Sequence, residues 1–324
     1  MFEELILVGG FRKSGTSSLH NYIVSNFSEV TAPAIKEPQF LSLCDLSNRE
    51  HMAWYEKLYG YNGRNIPLAV DSSTLNILNS DSYLAANKLA KKVKVLVVTR
   101  DPAKRLISSY WHMASKGNGH ETRSLDDIVN SIPVDIGEGV FDYEDGLIKK
   151  AGELGDINIG YLSKNYLKEL YGVGFTVNIF DPYIMYRYFG ESLYSRWFNN
   201  FPTGDVFITS LEKLINDEGE VDRVVEYLGL DPVRPKKSFL SEKNRNKTYD
   251  RRGSVLAGLV EASVIKNMKK VLPQKLKEGI KSTVYGDVPK VSVETTKRIE
   301  KILRPEYEYW KASNIDLLWN RNGS

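Results

Sequence analysis

The chain has 324 residues, of which 42% are hydrophobic and 26% are charged, a composition typical of a globular protein with a sizeable core. Its net charge of +3 is too small for a protein that coats nucleic acid, so no nucleic-acid partner is expected. The single cysteine, Cys44, excludes an intrachain disulfide and favours a reducing compartment. Since no apolar run reaches membrane-spanning length and no signal peptide is recognised, we expect a cytoplasmic protein without a transmembrane segment.

The strongest local pattern lies near the start of the sequence, where the apolar run Leu5–Val8 is followed by a glycine turn and an amphipathic helix. Gly10 and Gly15 allow the backbone to curl around an anion because neither residue carries a Cβ atom. The free N–H groups and the dipole of the following helix favour phosphate, and Lys13 adds a full positive charge. The glycine spacing is that of a nucleotide-triphosphatase P-loop, but Thr16 occupies the position of the P-loop lysine. The stretch predicts a phosphate site, with an incidental turn between strand and helix as the alternative.

A lysine and a glutamate follow the second predicted strand, Glu29–Ala32. Pro38 biases the preceding residue away from helical geometry, so Lys36 and Glu37 are expected on a loop. If this strand lies beside the first, the loop opens at the sheet edge where open α/β sheets bind their ligands. A solvated surface pair is the alternative interpretation.

A cluster of short polar side chains, Asp71–Thr74, follows the third predicted strand, Ile66–Val70. Such residues commonly cap a following helix, because their side chains accept hydrogen bonds from its first N–H groups. The cluster also stands at the carboxyl end of a strand, where substrate contacts are expected. Both interpretations remain open from the sequence.

The most apolar strand pattern is Val93–Thr99, which predicts a buried parallel strand. Arg100 follows it directly, and Asp101 and Pro102 are suited to start a helix. Ser108 lies two turns further along that helix. A guanidinium and a hydroxyl at the same sheet edge indicate a site for a second phosphate.

Residues 115–189 have weak periodicity in much of their length and are predicted to form an insertion or lid on the substrate side of a single domain, 1–324. The basic stretch 234–253 is predicted to be a solvated loop, with a cationic flap over an anionic ligand as the alternative. The four histidines are scattered and show no metal-ligand spacing.

In the later part of the sequence, one further strand and several helices are predicted. A short strand is expected at Asp205–Ile208, followed by a helix that opens with a capping box at Thr209–Glu212. A helix and a second, shorter helix are expected within Thr296–Trp319.

Four of these segments together resemble the sulfotransferases that use 3′-phosphoadenosine 5′-phosphosulfate (PAPS). Arg12–Ser17 is similar to the loop that binds the 5′-phosphosulfate of PAPS in that family. Arg100–Tyr110 is similar to the 3′-phosphate motif, including the eight-residue step from arginine to serine. Lys36–Phe40 resembles the Lys-Glu-Pro-x-Phe segment of the carbohydrate (heparan-sulfate-type) branch, and Val70–Ser73 falls where that branch lines its acceptor.

The resemblance and the five predicted strands imply an α/β, P-loop-containing fold of three layers, with a central, mostly parallel sheet of about five strands flanked by helices. The implied reaction is in-line transfer of a sulfuryl group from PAPS to an acceptor hydroxyl, with a glycan favoured as the acceptor. PAPS is then the co-substrate and PAP the product. No metal is expected, because the leaving group is a stable phosphate.

The resemblance also assigns roles to residues of this chain. Glu37 is expected to be the general base, and Lys13 and Lys36 are expected to stabilise charge during transfer. The residues expected to bind the nucleotide are Arg12, Lys13, Ser14, Gly15, Thr16, Ser17, Arg100, Ser108, Arg251, Arg252 and Gly253. The residues expected to line the acceptor are Asp71, Ser72 and Ser73.

Two other functions are compatible with a phosphate-binding turn. A P-loop kinase that uses ATP and Mg²⁺ predicts chelator-sensitive activity, and the displaced lysine argues against it. A nucleotide-binding protein without enzymatic activity predicts binding without turnover. The joint presence of Lys13, Lys36 and Glu37 argues against that second alternative.

Overall fold

A computed structural model describes residues 1–11, 13–43, 46–77, 81–114, 123–131, 205–232 and 291–319. Its strands are β1 (Phe2–Gly9), β2 (Ile66–Asp71), β3 (Ala90–Thr99) and β4 (Val206–Ser210). The helices are α1 (Thr16–Asn26), α2 (Phe40–Leu43), α3 (Arg49–Leu58), a 3₁₀ turn (Thr74–Ile77), α4 (Asp81–Leu89), α5 (Pro102–Ala114), α6 (Leu125–Ser131), α7 (Leu211–Asn216), α8 (Glu218–Leu228), α9 (Val293–Ile302) and α10 (Arg304–Ala312).

The strands of the described residues form one parallel sheet in the order β2-β1-β3-β4. Leu7 is paired with Asp71 on one side of β1 and with Val95 on the other, so β1 is a central strand. Because all the strands run the same way, their carboxyl ends meet at one edge of the sheet. The loops that follow β1, β2, β3 and β4 therefore open at this shared edge.

The predicted strand at Glu29–Ala32 is reduced to a single bridge, in which Thr31 pairs with Ala69 of β2. The Thr31 N–H donates to Leu68 O at 2.9 Å, and its carbonyl accepts from Val70 N at 3.0 Å. The next N–H needed to continue the ladder belongs to residue 33, which is proline and has no hydrogen to donate. The sequence prediction of a full strand here is therefore wrong, and the proline is the reason.

The sheet separates two apolar layers, because alternate side chains of a strand point to opposite faces. Leu5 and Leu7 of β1 lie in one core cluster, whereas Ile6 and Val8 lie in the other. Helices α1 and α8 cover the second face, and helices α3, α4, α5, α6, α9 and α10 contribute to the first. This arrangement confirms the predicted three-layer α/β fold with a mostly parallel central sheet.

Part of the predicted insertion belongs to the core. Helix α6 buries Leu125, Ile128 and Val129 in the same cluster as the apolar face of α5. The other residues of 115–189 fall outside the described ranges, apart from Arg123 and Ser124 just before the helix. The lid itself therefore stays a prediction.

Two further predictions concern helix ends. The C-terminal segment forms two helices, α9 and α10, as expected. The capping box at Thr209–Glu212 is wrong by one residue, since Ser210 is the N-cap of α7 and accepts from Lys213 N at 3.1 Å. Thr209 is instead buried and donates its hydroxyl to Glu220 at 2.5 Å. A second partner, on α8, thus competes successfully for the threonine side chain.

None of the helices in the described ranges combines the length and the apolar character needed to cross a membrane.

Candidate active site

The turn between β1 and α1 has the tight curvature that its glycines predict. Gly10 has φ +152°, and Gly15 is the N-cap of α1 with φ +102°. Between them, Lys13 also lies in the left-handed region, with φ +70°. The Ser14 N–H donates to Phe11 O at 3.1 Å and closes the turn. The backbone thus wraps around the space in front of the N-terminus of α1, where a phosphate is favoured.

The two glycines are required sterically as well as conformationally. A Cβ atom on Gly10 would lie 2.4 Å from Val98 O, and a Cβ atom on Gly15 would lie 2.7 Å from Cδ1 of Leu211. The first of these contacts is with backbone of the central sheet, which has little freedom to move. The loop therefore packs directly against the ends of β3 and α7.

We expect Gly10→Ala to lower the free energy of unfolding by at least about 2 kcal/mol, because backbone strain and overpacking act together there. Gly63→Ala is the matched control, since Gly63 also has positive φ, +91°, but nothing lies within 4 Å of its added Cβ. The control should lose only about 1 kcal/mol. Denaturant unfolding of both variants checks this, and equal losses would contradict the close approach of the loop to β3.

Arg100, at the end of β3, contacts the turn from Gly10 to Gly15 between β1 and α1, which is the predicted phosphate loop. Its Nη1 donates to the backbone carbonyl of Lys13 at 2.9 Å. Two polar atoms in this part of the site are buried without a hydrogen-bond partner, namely Nε of Arg100 and Oγ of the fully buried Ser14. Buried donors normally have partners, so their lack of one here fits an anionic group that supplies acceptor oxygens. The residues present therefore fit the phosphate groups of a nucleotide.

Glu212, which the sequence analysis mentions only as the end of a capping box, lies close enough to Arg100 for their charges to interact. Burial lowers the pKa of the Arg100 guanidinium, and the charges of Glu212 and Asp101 oppose that shift. Burial likewise raises the pKa of Glu212, whose Oε2 is buried without a hydrogen-bond partner. The proximity of Glu212 to Arg100 follows from the strand register, because Thr99 pairs with Ser210 and both charged residues come shortly after that pair.

Lys36 and Glu37 form an ion pair on the loop that precedes α2. The second carboxylate oxygen of Glu37 accepts from Nε2 of Gln39 at 3.4 Å and from the Thr74 hydroxyl at 3.3 Å. About a third of the Glu37 side chain is exposed, at 34%. The carboxylate is therefore oriented by three donors while it keeps an accessible side.

The predicted acceptor residues Asp71, Ser72 and Ser73 are all fully buried. Asp71 accepts hydrogen bonds from the Tyr55 hydroxyl and from Ser73 N, both at 2.9 Å. Burial raises the pKa of Asp71, and these hydrogen bonds oppose the shift. The structure therefore gives Asp71 internal partners, and direct contact of these residues with an acceptor stays a prediction.

His20 joins the loop after β2 to α1. Its Nδ1 lies 2.9 Å from the Ser72 hydroxyl. Burial and, to a smaller extent, the nearby charge of Lys36 lower the pKa of His20 to about 4, so the imidazole is neutral at pH 7. The Lys36 loop and the Ser72 segment are thus both close to the helix that begins at the phosphate loop.

The remaining predicted nucleotide residues divide into two groups. Thr16 is buried at the start of α1, whereas Ser17 is exposed and Ser108 is half-buried on α5. Arg12, Arg251, Arg252 and Gly253 lie outside the described residues.

In the described ranges, no group of three or more His, Cys, Asp or Glu side chains is placed to hold a metal ion.

Arg105 lies on α5 between Arg100 and Ser108 in the chain, and its side chain faces the core. It is completely buried, and its two terminal nitrogens donate to the two carboxylate oxygens of Glu306 on α10 at 2.7 and 2.6 Å. Its guanidinium also lies 4.5 Å from the centre of the Phe11 ring, at the start of the phosphate loop. Arg105 therefore links α10 to the start of the loop, because it pairs with Glu306 and packs on Phe11. The sequence alone did not reveal this ion pair.

A glycine loop between a strand and a helix, at the carboxyl edge of a parallel three-layer sheet, defines a phosphate-binding α/β protein. The family model described as the sulfotransferase domain matches residues 3–297. The chain therefore belongs to the sulfotransferase domain family.

Solved structures similar to this chain include a sulfotransferase from Alicyclobacillus acidocaldarius, with 14% sequence identity, 99% coverage of both chains and a TM-score of 0.56. Mouse sulfotransferase SULT7A1, complexed with PAP, is 14% identical, with 72% of this chain and 61% of that chain covered and a TM-score of 0.37. Retinol dehydratase in complex with androsterone and inactive cofactor PAP is 13% identical, with coverages of 95% and 82% and a TM-score of 0.34. The first of the three supports the fold. No curated protein matches the chain.

Proposed function

We propose that this protein is a PAPS-dependent sulfotransferase that transfers a sulfuryl group to an acceptor hydroxyl, with Glu37 as the general base. Its membership of the sulfotransferase domain family supports sulfuryl transfer. The mouse and retinol dehydratase structures were both solved with PAP, which supports the same nucleotide for this chain. PAPS, when bound, supplies the sulfuryl group and is released as PAP.

The contact between Arg100 and the Lys13 carbonyl is the observation that carries the proposal. It brings the cation after β3 to the glycine loop after β1, so the two elements proposed to bind anions lie side by side at the carboxyl edge of the sheet. A doubly phosphorylated nucleotide needs both elements within the length of one ligand. The unpartnered Ser14 hydroxyl and Arg100 Nε supply donors for it in the same region.

Each proposed catalytic side chain has a distinct task. Lys13, on the loop, stabilises negative charge where the phosphate leaves. Lys36 stabilises the sulfonate oxygens, and Glu37 accepts the proton of the attacking hydroxyl. The donors from Gln39 and Thr74 hold one oxygen of Glu37, and the other oxygen, which pairs with Lys36, is the one proposed to take the proton of the acceptor.

A carbohydrate hydroxyl is the proposed acceptor. Support comes from the Lys36–Phe40 segment, which is similar to the corresponding segment of the carbohydrate branch. The partial exposure of Lys36 and Glu37 agrees with an acceptor that approaches from solvent.

Isothermal calorimetry with PAP and with ATP, each with and without Mg²⁺, tests the donor. We expect PAP to bind without metal and to bind more tightly than ATP. Stronger binding of ATP in the presence of Mg²⁺ would contradict the proposal and favour a kinase. A transfer assay with ³⁵S-labelled PAPS and a panel of oligosaccharide, lipid and peptide hydroxyls then tests the acceptor, and PAP binding without transfer to any of them would favour a protein that only binds nucleotide.

A further inference from the structure

Asp71 lies at the end of β2, and its side chain has no contact with solvent. Its side chain is completely buried, and its backbone is paired with Leu7 of the central strand. Its carboxylate accepts from the Tyr55 hydroxyl, from Ser73 N and, at 3.3 Å, from Nδ2 of Asn76. A buried carboxylate is tolerated when donors of this kind surround it. The Asp71 carboxylate therefore has its hydrogen-bond partners inside the protein.

The hydrogen bonds to Asp71 fix the turn that follows β2. A side-chain oxygen that accepts from the N–H two residues on forms an Asx turn, and Ser73 N is in that position. Asn76 reinforces the turn, because its own N–H donates to Ser73 O at 3.1 Å. The conformation of Ser73 and Thr74 consequently depends on the Asp71 carboxylate.

Both residues of this turn hold the Glu37 segment. The Ser73 hydroxyl accepts from the backbone N–H of Gln39 at 2.9 Å. The Thr74 hydroxyl donates to the Glu37 carboxylate itself, at 3.3 Å. The turn thus holds the Glu37 segment through two hydrogen bonds, one to the backbone N–H of Gln39 and one to the carboxylate of Glu37.

The hydrogen bond from Gln39 N to the Ser73 hydroxyl matters because the backbone of Gln39 is strained. Gln39 has φ +57°, a conformation that non-glycine residues seldom adopt and that persists when neighbouring contacts hold it. In this conformation its side-chain amide also reaches the second oxygen of Glu37. If the Ser73 contact is lost, we expect the backbone to relax and the amide to leave the carboxylate.

We propose that Asp71 is a positioning residue for Glu37, acting through Ser73 and Thr74, and that it does not contact the acceptor. Tyr55 lies behind it and fixes the carboxylate from the core side. The inference rests on the proposed function only in its assumption that Glu37 is the base. It adds that the base is held by a relay of hydrogen bonds that starts at a fully buried residue.

Steady-state transfer kinetics of Asp71→Asn and Ser73→Ala test the proposal. Both variants should lower kcat about 10–100-fold, since small misplacements of a catalytic group have effects of that order. KM for the acceptor and the affinity for PAP, measured by calorimetry, should change less than about twofold. Ser73→Ala removes only the hydroxyl that holds Gln39, so it tests the relay even if Asp71→Asn fails to fold.

A tyrosine away from the relay provides the matched control. Tyr55→Phe removes a donor to Asp71, whereas Tyr227→Phe removes a hydroxyl that donates to the carbonyls of Val95 and Asp205 between β3 and β4. Tyr55→Phe should lower kcat, and Tyr227→Phe should lower the unfolding temperature without changing kcat. A crystal structure of Ser73→Ala provides a readout that does not depend on activity, because φ of Gln39 should become negative.

A double-mutant cycle with Glu37→Gln separates this inference from the proposed function. If Asp71 acts through Glu37, Asp71→Asn should have almost no further effect on kcat in the Glu37→Gln background. An additive loss, or a raised acceptor KM with normal kcat in Asp71→Asn alone, would overturn the inference and favour acceptor contact. If the wild-type protein transfers no sulfuryl group, or Glu37→Gln keeps full activity, it is the proposed function that fails.

Discussion

Replacement of Glu37 by glutamine is expected to lower the rate of sulfuryl transfer by about 10²–10⁴-fold, the range that a general base contributes. Glutamine keeps the size of the side chain and can still accept from Gln39 and Thr74, but it does not take the proton of the acceptor. The affinity for PAP should stay within about twofold of the wild-type value, because Glu37 is not among the residues proposed to hold the nucleotide. Single-turnover assays with labelled PAPS, together with calorimetry, provide both measurements.

Glu3→Gln is the matched control for that experiment. Glu3 also forms an ion pair with a lysine, Lys91, at 2.7 Å, but it lies at the start of β1, away from the carboxyl edge of the sheet. The control should transfer at the wild-type rate. Wild-type turnover in Glu37→Gln would show that the base is another residue.

The second large effect is expected on stability, where Glu306→Gln should lower the free energy of unfolding by about 3–5 kcal/mol. Arg105 and Glu306 are 0% and 1% exposed, so the substitution leaves a guanidinium charge in the core without a counter-charge. That guanidinium also packs on Phe11, so the phosphate loop should lose order and PAP affinity should fall. Guanidinium chloride unfolding and calorimetry measure the two consequences.

An exposed pair on the same helix is the control for this prediction. Arg304 and Glu308 form an ion pair at 2.7 Å, with 74% and 62% of their side chains exposed. Glu308→Gln should cost less than about 0.5 kcal/mol, because surface pairs of this spacing contribute little. Similar losses in Glu306→Gln and Glu308→Gln would show that burial of the Arg105 pair has no special energetic role.

The sequence was informative where the structure depends on neighbouring residues. The apolar run, the glycine turn and the helical spacing from Leu5 to Phe27 lie within one short stretch, and the structure contains that strand, turn and helix. The strand Val93–Thr99 and the helix that starts at Pro102 are predicted for the same reason. Helices α9 and α10 also follow local periodicity.

The sequence was uninformative where a residue's partner is far away in the chain. Arg105 and Glu306 are 201 residues apart, and no spacing rule relates them. The proximity of Glu212 to Arg100 depends on the pairing of β3 with β4, which becomes known only once the strand order is known. The short strand expected at Glu29–Ala32 failed for a local reason that was present in the sequence, namely the proline at position 33.

The polar cluster after β2 illustrates both limits. Its position at the carboxyl end of a strand favoured contact with a substrate, but the register places Asp71 beside Leu7, inside the sheet. Tyr55 and Gln39, its partners in the relay, come from the segments on either side of α2 and carry no signature of that role. The sequence therefore predicts which polar residues gather at this edge of the sheet, but it does not distinguish side chains that face outward from side chains that are hydrogen-bonded inside the protein.

The ion pair between α5 and α10 has a consequence for the order in which the chain is made. A ribosome synthesises Arg105 201 residues before Glu306, and Phe11 is made earlier still. The loop and the cation that packs on it therefore emerge long before the carboxylate that pairs with that cation. Until then, burial of Arg105 would place a charge in the core without a counter-charge, which is unfavourable. The ion pair that packs beneath the glycine loop is therefore completed only after translation has reached α10.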